Sequence, residues 1–434
     1  MTRLVLVGGR LIDPASERDE PGDLAIERGR IVAVGPPGKV GPADRTMDCR
    51  GRIVAPGFID LHVHLREPPV GGGENAELPE TIATGAAAAT AGGFTTVCAM
   101  PNTQPPVDSA EAISYYRRRA DEVGLARVLP VGCMTRGRAG RETAYLAAMF
   151  RAGAVAFSDD GSDVTDAGVF REVLREAARL GAPVLCHCED AGLAAGGVIN
   201  DGPLATALGL PGIPPEAEEV AVERACAAAA QTGCRVHICH VSTEGAVAIL
   251  RRAKAARAPV TAEASPHHLT LTEEALAGRD AVFKVSPPLR SGHDVDAVLA
   301  AVRDGTIDCL ATDHAPHSAE AKARRLAEAP AGMVGLESAL AVYVRALVET
   351  GLLTWAQFLA RMTFNPARVL GIEAGTLSVG APADVTVIDP EARWTIDPAH
   401  FRSRARNCPF AGWDVRGRVV TTIVAGQVAY GDGW

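Results

Sequence analysis

A chain of 434 residues with 47% hydrophobic and 22% charged side chains holds enough apolar material for a large core, which excludes global disorder. Its formal net charge of −9 is opposite to the basic excess of nucleic-acid or anionic-membrane surfaces, so neither partner is expected and any anionic ligand must be held locally. The apolar runs are too short for a secretory signal or a bilayer span, and ten cysteines in a chain this long make no disulfide scaffold; the expectation is a cytoplasmic protein with free thiols.

Residues 1–54 carry short strand-like runs at 4–7, 24–26, 31–34 and 53–54, separated by Asp13-Pro14, Gly35-Pro36-Pro37 and Gly41-Pro42, a pattern that predicts a small antiparallel sheet. From residue 55 the texture changes. Helical patterns at 81–91, 111–122, 170–180, 216–232, 244–256 and 295–303 are each followed by an apolar β run, at 95–99, 126–131, 183–186, 236–239, 260–264 and 309–312. Repeated strand-helix-strand succession predicts an α/β fold, a (β/α)8 TIM-like barrel over residues 55–365. Strand patterns return at 377–379, 385–388, 419–424 and 427–430, so residues 1–54 and 366–434 are expected to pair into one small β domain. Residues 317–330, charged and alanine-rich, read as a solvated helix, a mobile flap or an exposed loop.

The apolar run Ile53, Val54, Phe58, Ile59 leads into Asp60-Leu61-His62-Val63-His64. Side chains alternate along a strand, so His62 and His64 face one side, roughly 6–7 Å apart. A lone His-x-His also fits a packed or surface pair; the rest of the chain decides. Parallel barrels place catalytic groups at the C-terminal ends of strands, and potential ligands recur there: Ser158-Asp159-Asp160-Gly161, His187, His240, His267-His268 and Asp313-His314. Four histidines and two carboxylates exceed the needs of one catalytic zinc. A two-metal site sharing a carboxylate fits the count, and such a site suits hydrolysis, or its reversal, at an amide-like bond. Alternation assigns Cys186, Cys188 and Cys239 to packing, puts His237 and His240 on opposite faces, and leaves His237, His267 and His268 in supporting roles. Arg66, on the His62/His64 face if the strand persists, offers a planar fork for a substrate carboxylate, and Asn102 an amide.

The stretch His62-Val63-His64-Leu65-Arg66-Glu67-Pro68 stands with Met100-Pro101-Asn102-Thr103, Asp159-Asp160-Gly161, His187-Cys188-Glu189-Asp190, Cys239-His240-Val241-Ser242-Thr243, Ser265-Pro266-His267-His268-Leu269, Pro287-Pro288-Leu289-Arg290 and Ala311-Thr312-Asp313-His314-Ala315-Pro316-His317. In this order the motifs resemble class I dihydroorotases of the amidohydrolase superfamily, from about residue 4 to the C-terminus. The resemblance implies a barrel with a small β-sandwich built from both chain ends. It implies two Zn2+ per chain, with Co2+ or Mn2+ as substitutes, one held by His62 and His64, the other by His187 and His240, bridged by Asp160 and a hydroxide. Asp313 would bind the first metal and shuttle the proton. The family's spacing from His187 selects Asp160 over its competitor Asp159, and no lysine between Gly153 and Leu180 offers the carboxylated-lysine bridge of related enzymes.

The implied reaction is reversible closure of N-carbamoyl-L-aspartate to dihydroorotate in pyrimidine biosynthesis. The implied substrate contacts are His64, Arg66, Asn102, Ser286, His317 and the backbone at Ala331 and Gly332. Three features depart from the family: a longer, glycine-rich loop at 69–79, Ser286 in place of an asparagine, with one donor rather than two, and Ala331 in place of an aromatic. The alternatives are a hydantoinase- or allantoinase-like cyclic amidase and a non-catalytic partner of aspartate transcarbamoylase. A homodimer and a transcarbamoylase complex are the implied assemblies.

Overall fold

The computed structural model describes residues 3–67 and 78–431, so the loop expected at 69–79 lies, except for its last two residues, outside the described residues. The chain opens with β1 (Leu4–Asp13), β2 (Arg18–Glu27), β3 (Arg30–Gly35), β4 (Arg45–Asp48) and β5 (Ile53–Pro56). Here the prediction of an antiparallel sheet fails in part. β1 pairs antiparallel with β2 but parallel with both β4 and β5. The nine residues between β3 and β4 are long enough to carry the chain back across the sheet, which a tight hairpin cannot do.

The next strands are β6 (Phe58–Val63), β7 (Phe94–Ala99), β8 (Arg127–Gly132), β9 (Ala156–Phe157) and β10 (Val184–Cys186). After a two-stranded excursion, β11 (Ile199–Asn200) with β12 (Gly212–Ile213), come β13 (Val236–Ile238), β14 (Val260–Ala264) and β15 (Cys309–Leu310). β6 to β10 and β13 to β15 pair in parallel and in chain order. All six residues of β6 and of β7 are buried, as strands covered on both faces must be. The ring is closed from β15 to β6 by a parallel bridge between Val63 and His314, and the His64 N–H donates to the His314 carbonyl at 2.8 Å. The buried Asp60 carboxylate accepts from Thr312 Oγ1 at 2.6 Å across the same seam.

Helices between the strands bury one stripe each. In Ala167–Leu180 the stripe is Phe170, Val173, Leu174 and Ala177; Asp166 caps its first turn, and Gly181, left-handed at φ +71°, ends it. Helix Phe364–Leu370 plugs the N-terminal end of the barrel, where Ala367, Val369 and Leu370 join Ile59, Leu61 and Leu185 in one core cluster. Among the described residues no helix is long and apolar enough to cross a membrane.

The chain ends in β16 (Val385–Thr395), β17 (Asp414–Val424) and β18 (Gln427–Tyr430). β16 pairs antiparallel with β5, so both chain ends build one mixed sheet in the order β18-β17-β16-β5-β1-β2-β3, with β4 on β1. The strand expected at 377–379 is absent. Leu377 is buried in the sheet's core, but its N–H donates to the Asp13 carboxylate at 3.0 Å instead of to a neighbouring strand. Residues 317–330 carry a short solvated helix, Ala319–Lys322, and are exposed over about half their length, but they are anchored rather than a free flap. Leu326 and Ala329 pack against Val198, Ile199 and Leu276, Lys284 Nζ donates to the Leu326 carbonyl at 2.8 Å, and Lys322 Nζ donates to the Pro330 carbonyl at 3.0 Å.

Candidate active site

The tips of the barrel strands converge as the parallel architecture dictates, but several side chains get there by turns rather than by alternation. His62 and His64 do share a face, with ring centroids 5.2 Å apart. The strand stops at Val63, and Arg66 reaches the site through a left-handed backbone, φ +59°, not through a continued strand. Its Nε donates to the Pro316 carbonyl at 3.2 Å, and Nη2 lies 3.4 Å from His317 Nε2. Asp313 and His240 also hold left-handed backbones, φ +48° and +33°, a conformation that costs energy in non-glycine residues and recurs at functional sites.

The turn at His240 overturns two expectations. His240 and His237 are not on opposite faces, and Cys239 does not face away. His237, Cys239 and His240 all meet the barrel interior: His237 Nε2 lies 3.0 Å from Glu263, and Cys239 joins His62 and Glu263 in one group of potential ligand atoms. Burial holds the Cys239 thiol well above its ordinary pKa, so it stays protonated and a poor ligand. Cys186 and Cys188 pack outward in the main core, as alternation requires.

Asp160 stands at the centre of the histidines. A carboxylate oxygen of Asp160 lies 3.1 Å from His62 Nε2, 3.6 Å from His64 Nε2, 3.8 Å from His187 Nδ1 and 4.0 Å from His240 Nε2. Asp159 points elsewhere: its carboxylate accepts from the Met134 and Thr135 N–H groups at 2.8 and 3.1 Å and from the Thr135 hydroxyl. Asp313 Oδ1 lies 3.2 Å from His64 Nε2 and 3.6 Å from His62 Nε2, and His187 Nδ1 lies 2.9 Å from His240 Nε2. All six residues are buried.

Within this cluster His62 Nε2, Asp160 Oδ1 and His240 Nδ1 have no hydrogen-bond partner. Buried polar atoms are normally satisfied, and unpaired ones are costly. Two sets of converging atoms, His62/His64/Asp313 and His62/Asp160/His240, lie close enough to share an ion, so this donor set fits a metal. The charge states agree at three of the groups, whereas His62, which burial would lower but the Asp160 and Asp313 charges hold well above its ordinary value, must release its proton for a metal to bind. Burial would raise the Asp160 and Asp313 carboxyls, but the facing histidines outweigh it and hold both well below the usual range. Burial, with His187 and His62 adding to it, pushes His240 down to about 3, which leaves it neutral with a lone pair to offer.

The remaining predicted residues surround the cluster. Both ends of the Asn102 amide are engaged by it: Nδ2 donates to Asp160 at 3.0 Å, and Oδ1 faces His64 Nδ1 at 2.8 Å. Ser286 Oγ donates to the Glu189 carboxylate at 3.3 Å. His317 Nε2 donates to the Ala331 carbonyl at 2.7 Å. Gly332, at φ +136°, leaves no room for a side chain, since a Cβ would fall 2.8 Å from His317 Nε2. His267 Nε2, expected only to pack, is unpartnered and 3.9 Å from Asp313 Oδ2, whereas His268 Nε2 donates to the Pro287 carbonyl at 3.0 Å.

Two neighbours escaped the sequence reading. Arg138 donates to the Asp160 carbonyl and to Ser162 Oγ, with nothing in its sequence context to mark it. Glu263 lies 2.9 Å from His62 Nδ1, and here a signal existed, because a carboxylate inside a largely buried strand demands partners.

Residues 51–246 match the family described as dihydro-orotase-like. The chain is 49% identical to a dihydroorotase of Pelotomaculum thermopropionicum over 99% of both chains. It is 47% identical to one from Anaeromyxobacter dehalogenans (strain 2CP-1) over 98% of both. Among solved structures, an L-hydantoinase (dihydropyrimidinase) from Arthrobacter aurescens aligns with a TM-score of 0.87 at 26% identity, covering 100% of this chain and 97% of that one. With the barrel, the strand-tip cluster and near half identity over its whole length, this chain belongs to the dihydroorotase family.

Proposed function

We propose that the chain interconverts N-carbamoyl-L-aspartate and (S)-dihydroorotate plus water, the ring-closing step of pyrimidine synthesis, with two metal ions. The reading rests above all on Arg66. Its guanidinium feels the Asp313 and Asp160 charges and approaches His317, yet it forms no ion pair among the described residues. A half-buried cation with no carboxylate of its own suits a substrate that brings one.

In this reading His62, His64 and Asp313 hold one ion and His187 and His240 the other, with Asp160 between them. Zinc is the first choice, and cobalt or manganese suits the same donors. Bound there, the ions supply Lewis-acid activation of water and of the amide carbonyl. Asp313, held ionised by His62 and His64, takes the proton of the attacking water in ring opening and delivers it to the departing ring nitrogen. In ring closure the C–N bond forms and a C–O bond of the side-chain carboxylate breaks; Asp313 then receives a ureido proton and returns it to the leaving oxygen, which departs as hydroxide and takes a second proton from solvent to become water. Arg66 and His317, with the backbone at Ala331 and Gly332, orient the substrate carboxylate, while Asn102 holds His64 and Asp160 in register. Residues 1–54 and 366–434 act as the accessory β domain, a division supported by the pairing of β5 with β16 and crossed by helix Phe364–Leu370.

The test is substrate choice by the zinc-loaded protein. Hydrolysis of dihydroorotate should exceed that of hydantoin and dihydrouracil by about 100-fold or more in kcat/KM, because the uncarboxylated rings leave Arg66 unpaired. Comparable turnover of all three would overturn the reading in favour of a general cyclic amidase.

A further inference from the structure

Behind His62 a string of hydrogen-bonding side chains runs along the barrel interior. His62 Nδ1 lies 2.9 Å from Glu263 Oε1. The other carboxylate oxygen, Oε2, lies 3.0 Å from His237 Nε2, and His237 Nδ1 lies 2.8 Å from Thr261 Oγ1. Glu263 and His237 are completely buried. The string ends where His237 and Thr261 line a cavity of about 370 Å³ among Pro183, Arg235 and Asn365, at the end of the barrel where the strands begin.

Each link has a direction. Glu263 sets one carboxylate oxygen against each imidazole, and a carboxylate can only accept. His62 therefore carries its hydrogen on Nδ1, and His237 carries one on Nε2. In that tautomer the lone pair of His237 sits at Nδ1, which the Thr261 hydroxyl fills by donating. Every polar atom of the string is satisfied except one: His62 Nε2, which faces the Asp160 side unpartnered.

We propose that Glu263 and His237 are positioning residues of the metal centre, with Thr261 as their anchor. Glu263 fixes the tautomer and tilt of His62 so that its Nε2 lone pair faces the ion, and His237 keeps Glu263 from turning away. Hydrogen bonds of this kind raise the basicity of a ligating imidazole and set its orientation. His237, on β13 three residues before His240 in the turn that follows it, thus works on a ligand of β6 through a carboxylate. The proposal rests on the metal-centre reading of the previous subsection.

The test compares Zn2+ retention in full-length variants, read as the rate of zinc transfer to a chelating indicator dye, with the unfolding temperature of each metal-free protein measured alongside. His237→Leu removes the donor to Glu263, whereas His237→Gln can place an amide N–H near the same position. The expected order of zinc loss is parent and His237→Gln slow, His237→Leu about 10- to 100-fold faster, with Glu263→Gln at least as fast. Thr261→Val, a nearly isosteric change, should speed loss by a smaller factor and carries the test if His237→Leu does not fold. Equal zinc loss in the parent, His237→Leu and Thr261→Val would overturn the proposal, as would identical behaviour of His237→Leu and His237→Gln. Failure of the parent itself to take up zinc would instead overturn the metal centre, so the two outcomes stay distinct.

Discussion

Around the strand tips two sets of polar groups are equally buried, and adjacent residues divide between them. Asp160 and Asp313 face the histidine cluster, whereas their chain neighbours Asp159 and His314 face the scaffold. On the scaffold side the hydrogen bonds are complete. Asp159 accepts three, and His314 bridges Glu80 through Nε2 at 3.3 Å and the Gly335 N–H through Nδ1 at 3.2 Å, while Glu80 also accepts from Ser403 and Thr84. On the cluster side His62, Asp160, His240 and His267 each keep an atom unpartnered. Burial of charge is therefore no mark of function here. The mark is several unsatisfied atoms converging on one point, because single unpartnered atoms such as Ser265 Oγ and Arg361 Nε also occur in the scaffold.

The comparison breaks most visibly at Asp313. Asp313→Asn keeps the shape and removes the proton acceptor, so kcat for dihydroorotate hydrolysis should fall by about 10²- to 10⁴-fold with the unfolding temperature nearly unchanged. Turnover equal to that of the parent would mean that the activity belongs to other groups. Arg66→Met should act next most strongly and differently. Losing a charge-assisted contact of about 1.5–3 kcal/mol raises KM roughly 10- to 150-fold, with less effect on kcat. On the scaffold side Thr135→Val deletes a donor to Asp159, with an expected cost of about 1–3 kcal/mol in urea unfolding and kcat per folded molecule retained. A loss of kcat in Thr135→Val rivalling that of Asp313→Asn would erase the distinction between the two sets.

Much of this arrangement was legible in the chain, and the failures share a physical cause. The sequence located the helix at Glu216–Thr232 and the strand at Val260–Ala264 to the residue, since each is bounded by proline, glycine or serine punctuation. It also placed His62 and His64 on one face. Alternation stopped predicting where the backbone turned left-handed, at Arg66 and His240, because a single positive φ redirects a side chain without leaving a trace in composition. Leu377 is apolar and buried like a strand residue, but strand pairing is a relation to a neighbour, and the Asp13 carboxylate had already taken its N–H. Glu263 was visible as a buried carboxylate, yet only coordinates could name His62 and His237 as its partners.

The smallest effect concerns a half-buried polar group, a cation met only by carbonyls. Lys322 Nζ donates to the Lys284 and Pro330 carbonyls at 3.2 and 3.0 Å and forms no ion pair among the described residues. Burial, with Lys284 adding to it, lowers its pKa to about 7. The unfolded chain keeps this amine protonated up to its ordinary 10.5, so between about pH 7 and 10.5 the unfolded state binds more protons than the folded one. Stability then rises with pH across that window, and the full penalty applies below it. The buried thiols act in the opposite sense at higher pH: Cys49, pushed up to about 12 by burial, resists an ionisation that the unfolded chain undergoes near 9. The measurement therefore compares Lys322→Met with the parent between pH 7 and 8.5, where the thiols contribute little. The parent should gain up to about 1 kcal/mol on the variant over that interval, less than the limiting slope allows because the amine is not fully screened from water. Parallel pH profiles of the two proteins would mean that Lys322 stays charged against its carbonyls.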